Sequence, residues 1–372
     1  MNHPKLKIAV LVRNFVTTGG AEKYCVEVTK RLAKKHEVHV FCQTNDPTLN
    51  EGITIHKIPR ISVKPRWLNQ ILFSRWCKRE TINKFDIIHS HERLEYFDVV
   101  TIHCPCYVTK TADSKLKRFL KQTCTLRHHM YKWMEKKQYV LGSHKKKYIS
   151  VSDYVQKNVQ TYYKIPHESF YRAYPGVSIE EVSDFSIRQE LKLKEGQLLV
   201  LFVGTEFKRK GLDFAIQAIS KLENMELMVV GGGDEKTYRN LAVSLNCENR
   251  VHFSGLVNNV GNYYKSADIF LLPTLNDPCG MSPLEAMSYQ IPVVVSCSKY
   301  AGFAEHIHHD ECILLDNPRN PDLISEALQK LSDEKIREEY ASRGYALAKK
   351  ITWDYTTNAT EKAFFDIIKE KN

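Results

Sequence analysis

Two carboxylates, Asp277 and Glu285, bracket the stretch Asp277-Pro278-Cys279-Gly280-Met281-Ser282-Pro283-Leu284-Glu285. An apolar run, Ile269 to Thr274, precedes it and reads as a buried parallel strand. A helical pattern opens within it, and a second buried strand, Pro292 to Ser296, follows. Gly280, Met281 and Ser282 therefore stand at a helix entrance, where backbone N–H groups lack intrahelical partners and the dipole favours negative charge. That chemistry suits a phosphate. Two carboxylates would repel a phosphate, but they suit the hydroxyls of a sugar and a ribose. A plain strand–loop–helix crossover with solvated acids is the competing reading.

A second cluster is Gly204-Thr205-Glu206-Phe207-Lys208-Arg209-Lys210-Gly211, again after a buried strand and before a helix. Ligands of open α/β folds bind at that edge of the sheet. Arg209 could clamp a diphosphate through two parallel hydrogen bonds, and Lys210 would act as a point charge. A solvated basic turn is the alternative. Gly19 and Gly20 form a third candidate, ending the first strand's loop and opening the first helix. Glycines there let a ligand approach the backbone, although an ordinary strand-to-helix turn needs the same residues. The spacing is not the G-x-G-x-x-G of a dinucleotide fingerprint. Gly231-Gly232-Gly233-Asp234 is a further loop where the chain could turn close to a ligand.

These loops need strands and helices to hold them. Short apolar strands are expected at Lys7–Val12, Glu37–Cys42, Ile53–Pro59, Asp86–His91, Val99–His103 and Tyr148–Ser152, alternating with helices. After a linker from Tyr174 to Asp184 the pattern restarts with Leu198–Gly204, Met225–Gly231, Val251–Phe253, Ile269–Leu272, Val293–Ser296 and Ile313–Leu315. The fold class is α/β, two Rossmann-like domains facing a cleft. The expected boundaries are 1–175, 176–350 and a closing helix over 351–372.

With 372 residues, the chain is long enough for two cores. No apolar run reaches the length of a membrane-spanning helix, and Met1 to Lys7 carries no apolar signal core. Ten cysteines are scattered; Cys25, Cys42, Cys297 and Cys312 read as small buried residues of a reducing cytoplasm. Cys104 and Cys106 have no second pair to complete a zinc site. A net charge of +11 implies an anionic partner. Eleven Lys or Arg and one acid, Glu135, fall between Lys115 and Lys147. Apolar residues at helical spacing there (Leu116, Phe119, Leu120, Leu126, Met130, Trp133, Met134) suit a helix on an anionic membrane, or a domain helix with a solvated basic face. No nucleic-acid motif appears.

The Asp277 to Glu285 stretch resembles the E-x7-E motif of retaining GT-B glycosyltransferases of the family 4 type, which include the bacterial lipopolysaccharide core glucosyltransferase. Gly204–Gly211, Val251–Gly255, Ala267–Pro273, Asp277–Val294 and Ala301–Ile307 carry the same likeness. The resemblance implies an enzyme moving a hexose from a UDP-sugar to a glycan or lipid-linked glycan, such as a lipopolysaccharide core. It implies that Arg209 and Lys210 neutralise the departing diphosphate, that Asp277 meets the sugar and Glu285 the ribose, and that His103 touches the sugar from the N-terminal domain, with His89 and His91 as rivals. Gly204 and the Gly280, Met281 and Ser282 amides would border the phosphates, backbone groups at Leu256 and Val257 would hold the base, and Gly19 and Gly20 would face the acceptor. The nucleotide-sugar is a substrate, so no cofactor and no metal are expected. Retention implies attack from the leaving-group face, with a phosphate oxygen taking the acceptor proton. The 351–372 helix would cross back onto the N-terminal domain, and the enzyme would sit peripherally on the inner face of the cytoplasmic membrane. The oligomeric state stays open. Two departures stand out: Asp277 where the family has Glu, and Gln290 where it often has Gly. A sugar-nucleotide epimerase of the same shape and a non-catalytic carbohydrate- or membrane-binding protein are the alternatives.

Overall fold

The computed structural model describes residues 4–60, 64–107, 126–140, 145–178 and 186–371. Its internal contacts separate into two units, Met1–Pro175 with Trp353–Asn372, and Gly176–Thr352. Each is a parallel sheet flanked by helices.

The first unit holds β1 (Lys7–Leu11), α1 (Gly20–Ala33), β2 (Glu37–Cys42), β3 (Ile53–Lys57), α2 (Arg66–Thr81), β4 (Ile87–Ser90), β5 (Val99–Ile102), α3 (Leu126–Tyr139), β6 (Lys147–Ser150), α4 (Asp153–Tyr163) and β7 (Phe170–Arg172). The strands run in the order β3-β2-β1-β4-β5-β6-β7, all pairs parallel. The order reverses between β1 and β4, which opens a crevice at their C-terminal ends. β4, β5 and β6 are buried at every position, as helices on both faces require. Ser152 caps α4 by accepting from the Val155 amide at 3.2 Å, and Lys164 ends it in the left-handed region at φ 52°.

The second unit follows the same plan: β8 (Leu198–Val203), α5 (Phe207–Lys210), α6 (Leu212–Ile219), β9 (Met225–Val230), α7 (Glu235–Ser244), β10 (Val251–Gly255), α8 (Gly261–Ser266), β11 (Ile269–Leu272), α9 (Met281–Ser288), β12 (Val293–Ser296), β13 (Ile313–Leu315), α10 (Pro321–Lys330) and α11 (Glu334–Ala348). Its order is β10-β9-β8-β11-β12-β13, again parallel, with the reversal between β8 and β11. One continuous apolar core fills it.

The last helix, α12 (Trp353–Lys371), belongs to the first unit. It buries Trp353, Phe364 and Ile367 there. Glu361 takes Lys35 at 2.9 Å and His36 at 3.1 Å, and the Tyr171 hydroxyl donates to Asp366 at 2.8 Å. Among the described residues no helix is long and apolar enough to cross a membrane.

Cys25, Cys42 and Cys312 are buried as expected, but Cys297 is half-exposed. It follows the last residue of β12, so its thiol emerges at the sheet edge rather than between layers.

Candidate functional site

The loops after β8 and β11 flank the strand-order reversal of the second unit, and they are fastened together. Leu275 N–H donates to Arg209 O at 2.9 Å, the Thr274 hydroxyl donates to the same oxygen at 3.2 Å, and Arg209 Nη1 donates to Asn276 O at 2.6 Å. Gly211 makes this approach possible. A Cβ there would stand 2.0 Å from Pro273 O, and its φ of +77° is one that L side chains rarely adopt. On the other side Asp277 is clamped through its backbone: its N–H donates to Tyr300 O and its carbonyl accepts from Gly302 N–H, both at 2.8 Å.

Four expected residues thereby meet. Lys210 Nζ forms an ion pair with Asp277 Oδ2, with both side chains nearly buried, at 11% and 9% exposure. Arg209 Nη1 lies 3.9 Å from Asp277 Oδ1. The guanidinium is held from its other edge by Glu206, at 2.8 Å from both Nε and Nη2. Asp277 also lines the helix entrance, since a Cβ on Gly280 would be 3.2 Å from Asp277 Oδ2. α9 starts at Met281 after Gly280 at φ +73°, with no side chain capping it. Asp277, expected to meet a sugar hydroxyl, has its carboxylate paired with Lys210. Between Asp277 and the entrance, desolvation and the adjacent Asp277 carboxylate push the half-buried Cys279 thiol above its ordinary pKa, which favours its neutral form.

Glu285 lies on α9, half-buried, and accepts from the Tyr264 hydroxyl at 3.0 Å. Tyr264 also stacks on Tyr289, with centroids 5.4 Å apart, so the carboxylate rests against a rigid aromatic wall. Leu256, at 79% exposure, and Val257 follow Gly255, which turns at φ +67°. Gly204 packs on the Lys210 stem. The Gly231–Gly233 loop has a different cause from the one expected. A Cβ at Gly231 would meet Gly204 O at 2.1 Å, and one at Gly233 would meet the Phe207 ring at 2.4 Å. Gly231 and Gly233 admit the neighbouring loop's backbone and ring.

In the first unit Gly19 is the extended entry to α1 and Gly20 its first residue. A Cβ on Gly19 would touch only the flexible end of Glu22, so packing does not demand glycine there. β4 and β5 are neighbours, which puts His91 and His103, just past their ends, side by side. Their rings stack at 5.3 Å, and His91 Nδ1 lies 3.0 Å from His103 Nε2. Burial lowers both, His103 to about 4 and His91 well below its ordinary value, so both are neutral at physiological pH. His89 is fully buried against Thr101 at 2.8 Å, and burial lowers it to about 3. Of the three rivals, His89 is sealed in the core.

Two sequence models cover nearly the whole chain: the one described as Glycosyltransferase Family 4 matches residues 18–181, and Glycosyl transferases group 1 matches residues 183–347. The chain is a GT-B glycosyltransferase. An uncharacterized glycosyltransferase of Methanocaldococcus jannaschii, MJ1607, is 26% identical over 96% of this chain and 98% of its own. Lipopolysaccharide glucosyltransferase WaaG of Escherichia coli is 25% identical over 91% of this chain and 94% of its own. The WaaG crystal structure superposes with a TM-score of 0.81 at 24% identity, covering 97% and 99% of the two chains. Anabaena HepE, solved with UDP-glucose, gives 0.75 at 18% identity over 96% and 99%.

This glycosyltransferase also contains a buried polar cluster that sequence reasoning missed. Glu135, the lone acid of the basic segment, is fully buried. It accepts from the Tyr107 amide at 2.5 Å and the Tyr163 hydroxyl at 3.1 Å, and pairs with Arg93 at 3.3 Å. It ties α3 to the loop beyond His103. An isolated acid among eleven cations was the available signal. α3 turns His128, Met134, Glu135 and Gln138 inward, and leaves Leu126 and Trp133 of the expected stripe exposed. The rest of the basic segment, 115–125 and 141–144, lies outside the described residues.

Proposed function

We propose that this glycosyltransferase is a retaining hexosyltransferase that uses a UDP-sugar and needs no metal, its acceptor being a glycan or lipid-linked glycan such as a lipopolysaccharide core. The observation that supports this most is the convergence of Lys210 and Arg209 on Asp277 beside the uncapped entrance of α9. As the sugar–phosphate bond breaks, negative charge grows on the leaving oxygen, and fixed cations in a dry pocket stabilise it. The Gly280, Met281 and Ser282 amides take the remaining phosphate oxygens, and Gly204 leaves them room. Glu285 takes the ribose hydroxyls, backbone groups at Leu256 and Val257 the base, and Asp277 the sugar once phosphate has relieved it of Lys210. His103 contacts the sugar and Gly19–Gly20 border the acceptor. The WaaG and HepE names support a glucose donor and a lipopolysaccharide-type acceptor. Exposed Leu126 and Trp133 among Arg127, Lys132 and Lys136 support docking on an anionic membrane from the cytoplasmic side.

The test is transfer from UDP-, GDP- and ADP-glucose with EDTA present, the product anomer being read by NMR. UDP-glucose should be consumed with retention. An inverted product, or a donor epimerised without transfer, would reject the proposal.

Glu206 makes a second test. It sits at φ +56°, a conformation that costs a non-glycine residue about 1 kcal/mol. Its pair with Arg209 is exposed, at 34% and 68%, and is worth at most about 1 kcal/mol. Glu206→Gly should therefore leave unfolding free energy nearly unchanged while freeing Arg209. UDP should then bind roughly threefold to tenfold tighter by calorimetry, a gain of about 1 kcal/mol. Weaker binding would mean that Glu206 aids the donor instead of competing with it.

A further inference from the structure

We propose that His91 is a positioning residue: it donates from Nδ1 to His103 Nε2, and so leaves His103 with its own proton on Nδ1 as a fixed donor at the open end of β5. A hydrogen bond between two neutral imidazoles holds one proton, so the pair has two arrangements. Either His91 Nδ1 donates to His103 Nε2 across their 3.0 Å, or the direction is reversed.

The surroundings of His91 decide between them. Its second nitrogen, Nε2, is closed off from solvent and has no hydrogen-bond partner among the described residues. In the reversed arrangement the His91 proton moves to Nε2, which buries an N–H with no acceptor and pays its full desolvation cost. In the proposed arrangement Nε2 carries only a lone pair, the milder kind of unsatisfied group. His89 and Tyr24 leave His91 little freedom to turn, with ring centroids 4.4 and 6.0 Å away. Tyr24 also meets the His103 ring edge-on at 5.1 Å, so both imidazoles are clamped. His103 itself is half-exposed, and its Nδ1 is not among the sealed, unpartnered atoms.

The consequence is chemical. His103 presents an N–H to whatever lies beyond β5, and cannot take a proton there. On the reading that His103 meets the donor sugar, on which this consequence rests, it grips an acceptor oxygen of that sugar and never serves as a base. His91 sets this polarity without touching the substrate.

Long-range proton–nitrogen NMR of the full chain labelled with 15N-histidine reads the tautomer directly, the His103 signals being assigned by their loss in His103→Gln. Protonation of His103 at Nδ1 supports the proposal, and protonation at Nε2 overturns it. His91→Phe removes the donor, so His103 should shift toward the Nε2-protonated form and kcat for transfer should fall about tenfold. Its KD for UDP, which engages the other unit, should stay unchanged. His91→Asn places an amide N–H near the lost Nδ1 and should restore the tautomer and most of the turnover. Equal loss in His91→Asn and His91→Phe would reduce His91 to packing and overturn the proposal. If no sugar is transferred under any condition, yet His103 is protonated at Nδ1, the proposed function fails and the tautomer assignment stands.

Discussion

Lys210→Ala should lower kcat by on the order of a hundredfold or more, the loss seen when one charge-stabilising group is removed from an enzyme site. The same change should destabilise the fold. Asp277 is only 9% exposed and would lose its close partner, leaving Arg209 at 3.9 Å. Breaking a buried pair from one side costs about 3 kcal/mol or more. The two effects separate in a double variant. Lys210→Ala with Asp277→Asn removes the stranded charge, so urea denaturation should show stability largely recovered. Turnover should stay low, because Arg209 alone is left to face the leaving group. Turnover within threefold of the unaltered enzyme in Lys210→Ala would remove Lys210 from the chemistry.

Gly211→Ala carries the largest expected structural effect. The added methyl would stand 2.0 Å from Pro273 O, a backbone atom that no rotamer change can move aside. The loops bearing Arg209 and Asp277 must then part, at about 3 kcal/mol or more once strain and clash are combined. Gly196→Ala is the control. Gly196 has a similar φ of +83° with nothing within 4 Å of a new Cβ, so it isolates the conformational cost, about 1 kcal/mol. Equal unfolding free energies for the two variants would show that the approach of Pro273 does not require glycine. Gly211→Ala should also weaken UDP binding, while Gly196→Ala should not.

Both sheets were legible because parallel strands covered on two faces must be apolar without interruption. Leu198–Val203 and Ile269–Leu272 advertise themselves this way. The Arg209–Lys210 and Asp277–Glu285 clusters stood out as candidates because both follow buried strands and precede helices, and the structure brings Arg209 and Lys210 against Asp277. What stayed hidden depends on contacts distant in sequence. Nothing local in Gly231 tells that Gly204 O lies against it. Gln290 was noted as standing where relatives often have glycine, and the structure gives the reason: its φ is +58°. The inward face of α3 was not legible because its buried surface is mostly polar, with Glu135 matched to Arg93 and Tyr163. The commitment of Asp277 to Lys210 joins residues 67 positions apart, which no motif spacing reports.

The first unit's fold is completed by residues that are made after the whole of the second unit. Residues 4–175 are synthesised first, yet Trp353, Phe364 and Ile367 of α12 belong to their core. The intervening unit, Gly176–Thr352, carries its own core and can close as soon as it emerges. A nascent chain therefore matures from the middle outward. Its first unit keeps an apolar seam beside α1 and β6 uncovered until translation has passed α12, and that seam is where a chaperone would find it.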